Sequence, residues 1–209
     1  METHDDGFAR GSFVMEVPMF ASQYVESLTA TGARTGCASG FFARNSRGEY
    51  FLITNRHVVT AQNWETGQIE GTAPSALRFS VPLSVPSGAG GFWTSASVAL
   101  GYDDWSPEWL EHYKHGSHVD VVAVPLHQLA YESLPEGYEL DLVCYPIDGA
   151  PAQLSIANDV FVIGFPVGAH PLRDGAVPIW TRGSIAWPPR LDWHGRPCFR
   201  IDSRTRQGQ

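Results

Sequence analysis

The stretch that most constrains this chain is residues 49–60, EYFLITNRHVVT. Tyr50, Phe51, Leu52, Ile53 and Thr54 are mostly aromatic or β-branched, a composition that favours a strand. Asn55 and Arg56 end the apolar run, and His57 follows, backed at once by Val58 and Val59. Upstream, residues 38–44 (ASGFFAR) read as a second strand, and Asn45-Ser46-Arg47-Gly48 supplies turn chemistry between the two. A hairpin is expected, holding one histidine at its far end. That is a suitable mounting for a general base, because a rigid sheet fixes its distance to a partner.

Asp120 is the natural partner to examine. It lies in HVDVVAVPL, residues 118–126, a strongly apolar strand with a single charge. A carboxylate flanked by Val119, Val121 and Val122 is costly to bury unless something hydrogen-bonds it. An imidazole N–H would do so, and would fix the ring's tautomer and orientation. Asp120 could equally open the strand and cap a loop, and the residues alone leave both readings open.

The rest of the chain is read as many short strands. Its 209 residues hold 21 glycines and 15 prolines without a repeat, and only 17% are charged, which suits strands and turns better than long helices. The length allows one large all-β domain or two small ones. Strands are expected at 12–20, 77–83, 92–100, 160–168, 179–186 and 198–202, with the prolines of 77–83 pointing to a sheet edge. Residues 22–28 read as a short helix, 103–116 as a short helix or ordered loop, and 128–151 as a linker between two halves.

Charge and cysteine usage narrow the partners. A net charge of −8 leaves no basic face for nucleic acid or an anionic membrane, so neither is expected as a partner. The first residues, METHDD, are acidic and precede no apolar run, so no export signal is expected. Cys37, Cys144 and Cys198 are too few and too odd in number for a disulfide framework. A cytoplasmic protein with reduced thiols is expected. His112, His115 and His118 have the spacing H-x-x-H-x-x-H. On a helix they would spread over too wide an arc for one ion, so no metal and no cofactor is expected. The glycine-rich residues 87–91 lack the following Lys-Ser/Thr of a phosphate loop, and the tryptophans read as packing residues.

Taken in order, SGFF, YFLITNRHVVT, VDVVAVPL, IGFPVG and WTRGSIA resemble the trypsin-like serine peptidases, in their disulfide-poor bacterial form. The resemblance runs from about residue 12 to 209 and is poorest over 60–117. It implies an all-β fold of two six-stranded β-barrels with the active site between them. Residues 1–127 would form the N-terminal barrel with His57 and Asp120, and 128–209 a linker and an incomplete C-terminal barrel. It implies His57 as general base and Asp120 as its orienting acid. Gly208 would open the family's Gly-x-Ser-Gly nucleophile loop and donate one N–H to the oxyanion hole. Ser203 and Arg204 fall where the family places the floor of its specificity pocket. The nucleophile itself would come after Gln209, the last residue of the sequence. The 209 residues are therefore expected to be a serine endopeptidase cut short before its nucleophile, without peptidase activity. Protein or peptide substrates are implied, and a partner could cover the open edge of the second barrel. The alternative is a non-catalytic module that keeps the peptidase fold and binds through the cleft.

Overall fold

A computed structural model describes residues 17–84, 91–103, 106–127, 130–131, 139–140, 142–149, 152–166 and 177–204. Gly208, the tip of the 87–91 loop and the end of the IGFPVG motif lie outside the described residues, as does most of the expected 12–20 strand.

Strands dominate, and they belong to an all-β arrangement of mainly antiparallel sheets. The first is built around β1 (Ser22–Leu28), β2 (Arg34–Arg44) and β3 (Tyr50–Thr54). The expected hairpin is present: Gly40 pairs with Thr54 and Arg44 with Tyr50. Asn45 makes the turn between them as its composition requires, its Oδ1 accepting the backbone N–H groups of Arg47 and Glu49. Gly40 is needed where the strands approach, since a Cβ there would sit 2.8 Å from the Ile53 carbonyl oxygen.

β4 (Ala76–Ser84) and β5 (Gly91–Ala99) form a long second hairpin, and β4 docks on β1. The 77–83 strand is thus interior rather than at an edge. Pro82 is tolerated because β1 pairs only with 76–79 of it, and Pro82 lies beyond that ladder. Residues 22–28 are also a strand and not a helix. Their weak local preference is overridden because β1 lies between β2 and β4, with Val25 fully buried. Just before it, α1 (Val17–Ala21) is a short helix in the second half of the expected 12–20 strand.

The path continues through β6 (Tyr102–Asp103), β7 (Ser106–Pro107) and β8 (Leu110–Glu111) to β9 (Val122–Pro125), which pairs with β3. The described part of 103–116 therefore consists of two-residue strands and turns, not a helix. The described pieces of the expected linker return to the first sheet. β10 (Ala130–Tyr131) pairs with β5, β11 (Glu139–Leu140) with β4, and β12 (Tyr145–Pro146) runs parallel to the end of β2. The resulting ten-stranded sheet follows the path β10-β5-β4-β1-β2-β3-β9-β8, with β11 and β12 off that path on β4 and β2, and among the described residues the two ends of the path do not pair. Its buried faces gather Val25, Phe42, Leu52, Leu77, Val81 and Val122 into the main core.

A second, three-stranded sheet comprises β13 (Asp159–Gly164), β14 (Ile179–Ile185) and β15 (Ile201–Ser203). It meets the first where the Phe165 N–H donates to Ser39 Oγ at 2.8 Å and the Phe165 ring packs edge-on against Tyr24. Gly183 lets β15 come close to β14: a Cβ there would lie 2.5 Å from the Asp202 carbonyl oxygen.

Candidate active site

The register of one strand pair assembles the site. β3 and β9 are antiparallel with Thr54 opposite Val122, so the residues after Thr54 and those before Val122 leave the sheet side by side. After β3 the chain turns into α2 (Arg56–Thr60), which ends at Ala61 with φ 53°. His57 is its second residue. Val58 and Val59 are buried under it and hold the turn on the core.

Asp120 occupies the matching place before β9. His57 Nδ1 and Asp120 Oδ2 are 2.7 Å apart, and with the carboxylate ionised the ring N–H is the donor. The other oxygen, Oδ1, accepts the backbone N–H of His57 at 2.9 Å. This N–H belongs to the first turn of α2, where no intrahelical acceptor exists. Asn55, at the N-cap position, makes no side-chain cap of its own. Its Nδ2 donates instead to the Asp120 carbonyl at 3.0 Å and to Oδ2 at 3.3 Å. Asp120 thus caps α2 from across the sheet while orienting the ring, and Asn55 holds Asp120. Of the two readings the sequence leaves open, the contact with the imidazole is present, whereas the strand opens only at Val122, so Asp120 does not begin it.

Exposure separates the two roles. The His57 side chain is 47% exposed and that of Asp120 14%, so the ring's free edge faces solvent while the acid lies beneath it. The hydrogen bond that the ring donates to Asp120 holds the His57 pKa above the ordinary imidazole value, against the effect of partial burial. The negative charges of Asp120 and then Glu70 add to the rise. Such a ring can accept a proton at its outer nitrogen and be stabilised as imidazolium by the acid behind it.

No protein-family model matches this chain. No curated protein matches it either.

The other candidates are arranged differently. His112 forms a bridge with Gly116, and its Nδ1 accepts the N–H groups of Lys114 and His115. Among the described residues no group of three or more His, Cys, Asp or Glu side chains is placed to hold a metal ion. Ser203 ends β15, Arg204 follows it, and neither is brought to His57 by a described contact. None of the helices in the described residues is long and apolar enough to cross a membrane.

Two residues near the ring were not singled out from the sequence. Asn55 was visible only as the residue that breaks an apolar run, although an amide between a strand and a histidine is a signal in itself. Glu70 belongs to the 60–117 stretch, where no motif marks it. Both line or support the surroundings of His57: a groove of about 180 Å³ runs beside the ring, with Cys37 and Glu70 among its walls. Two larger hollows, of about 540 and 690 Å³, lie against Tyr50 and Leu126 and against Arg44 and Cys144, and His57 lines neither.

Proposed function

We propose that this chain carries the histidine–aspartate half of a trypsin-like serine endopeptidase site, on a fold related to the double six-stranded β-barrel. The observation that supports it most is the double engagement of Asp120, through Oδ2 with the His57 ring and through Oδ1 with the His57 backbone. An ion pair kept only for stability has no need to fix both the ring's tautomer and the turn that carries it. A general base needs both.

In this reading His57 Nε2 takes the proton of a serine hydroxyl as that oxygen attacks the scissile carbonyl. The imidazolium is stabilised by Asp120, then passes the proton to the leaving amine. The resemblance alone implies the remaining parts: an oxyanion donor at Gly208 and a serine from the Gly-x-Ser-Gly loop that would open there. Water repeats the sequence on the acyl-enzyme with the same base.

The test is covalent labelling of the protein expressed from its own gene with a fluorophosphonate, followed by peptide mapping. The expected result is a single modified serine, with labelling slowed at least roughly a hundredfold by His57→Ala. Absence of labelling, or labelling indifferent to His57→Ala, overturns the proposal.

A further inference from the structure

Asn55 is used in an unusual way for a residue at a helix start. It stands at the N-cap position of α2 with φ −74° and ψ 145°, the extended backbone from which an asparagine normally caps with its own side chain. No such bond forms. Instead Nδ2 reaches Asp120, 65 residues further along the chain. It donates at 3.0 Å to the Asp120 carbonyl and at 3.3 Å to Oδ2, the oxygen that also receives the ring N–H of His57. The opposite amide orientation would set Asn55 Oδ1 against two oxygens, so the network itself assigns the donor. The β3–β9 ladder ends with Thr54 opposite Val122, and Asn55 and Asp120 both lie past that end. The amide therefore adds a side-chain rung where the pairing of the strands has stopped. Because it grips both the main chain and the carboxylate of Asp120, it restricts rotation of that side chain between the two points.

We propose that Asn55 is a positioning residue: its amide fixes the rotamer of Asp120 so that Oδ2 meets the His57 ring at Nδ1. The catalytic consequence rests on the peptidase reading, whereas the positioning itself can be measured without it. The helix does not depend on Asn55 for its place. Val58 and Val59 hold it on the core, and Arg56 donates from Nε to Glu111 and from Nη1 to Gln62, both at 2.8 Å. Glu111 pairs with Val122, so Arg56 anchors α2 to the same strands from the other side. Changing Asn55 should leave the fold in place and loosen the acid alone. A purely electronic role would act with the opposite sign. Taking a donor away from Oδ2 without moving that oxygen would make it a better acceptor for the ring, and the imidazolium would be held more firmly.

Two variants separate these roles. Asn55→Ala deletes the amide, while Asn55→Ser keeps a residue suited to the N-cap, its hydroxyl stopping one bond short of the amide nitrogen. Nitrogen-15 NMR of the His57 ring is followed across pH in the full chain, alongside urea unfolding. In the wild type the neutral ring is expected to carry its proton on Nδ1. In both variants the tautomers should mix and the titration midpoint should fall toward the ordinary imidazole value, with Asn55→Ser unfolding at nearly the wild-type urea concentration. Cys37 and Glu70, which share the groove with the ring, are the same in all three proteins, so the difference reports on Asp120. A midpoint that rises, or a ring unchanged in both variants, overturns the proposal. Ring changes confined to Asn55→Ala, or present only where urea stability falls, mark a capping role and overturn it too. Fluorophosphonate labelling should slow about tenfold in both variants, less than in His57→Ala. Labelling at the wild-type rate in both sinks the positioning role alone. Absence of labelling in the wild type, with the ring changes as expected, sinks the peptidase reading and leaves Asn55 positioning the His57–Asp120 pair.

Discussion

At the scale of single residues, the properties of His57 follow from what surrounds its two edges. Asp120 on one side raises its pKa, so replacing that acid with a neutral amide should lower it. Asp120→Asn is expected to move the NMR titration midpoint of the ring downward, and an unchanged midpoint would mean that the 2.7 Å contact does not persist in solution. The linkage to folding has a definite sign. A histidine whose pKa is higher in the folded than the unfolded chain stabilises the fold fully below the ordinary value of about 6.5. That contribution is lost as pH rises through the elevated folded value. Urea unfolding at a series of pH values should show the wild type losing this increment over that window, and Asp120→Asn showing less of it. The cysteines give a second residue-scale test. Burial pushes the Cys144 thiol up to about 11, so its thiolate is scarce near neutrality, while Cys37 and Cys198 are exposed. Iodoacetamide at pH 8 should modify Cys37 and Cys198 well before Cys144, read by mass spectrometry.

At the scale of elements, the central strands are stapled as well as packed. Glu26 of β1 is 7% exposed and accepts both Arg78 Nε and Nη2 of β4, at 2.8 and 2.6 Å, and Arg34 Nη1 of β2 at 3.4 Å. One carboxylate joins three neighbouring strands. Glu26→Gln should cost on the order of 2 kcal/mol in chemical denaturation, the usual worth of hydrogen bonds to a charged partner, with part of the loss recovered because both arginines reach water. Leu52→Ala, at a fully buried position of β3, should cost more, roughly 2–5 kcal/mol, and should broaden the His57 signals because β3 carries α2. The same elements show why parts of the fold were legible and others were not. The β2–β3 hairpin has local turn chemistry and a dense apolar run, so sequence alone suffices. β1 does not: SQYVESL has weak preferences, and only its two flanking strands make it extended. The returns of β10, β11 and β12 to the first sheet are two-residue pairings, too short to leave a pattern. His57 and Asp120 were legible as residue types in suspicious company. Their meeting depends on the Thr54–Val122 register, and register is a tertiary fact.

At the scale of the whole molecule, chain order and space agree. Every described strand of the large sheet ends by Pro146, and every strand of the small sheet begins at or after Asp159. Among the described residues, particular contacts join the two parts. Phe165 donates to Ser39, Tyr24 packs on Phe165, and the Arg196 guanidinium lies 4.4 Å from the centre of the Trp64 ring, in the segment just after α2. Arg196→Ala should leave the melting of the large sheet nearly unchanged, since an exposed cation–π contact is worth about 0.5–1 kcal/mol. It should speed hydrogen exchange around residues 62–68 and 193–198, and equal exchange in both proteins would deny the clasp a role in solution. The chain passes from the large sheet to the small one between residues 147 and 158, and that crossing has a use. A polypeptide opened there would become two pieces, one bearing the His57–Asp120 pair and the other the small sheet, held to each other by contacts such as these. Fused to the halves of a reporter, such pieces would give a signal that follows the strength of those contacts, so that the docking of one sheet on the other could be read without a reaction taking place.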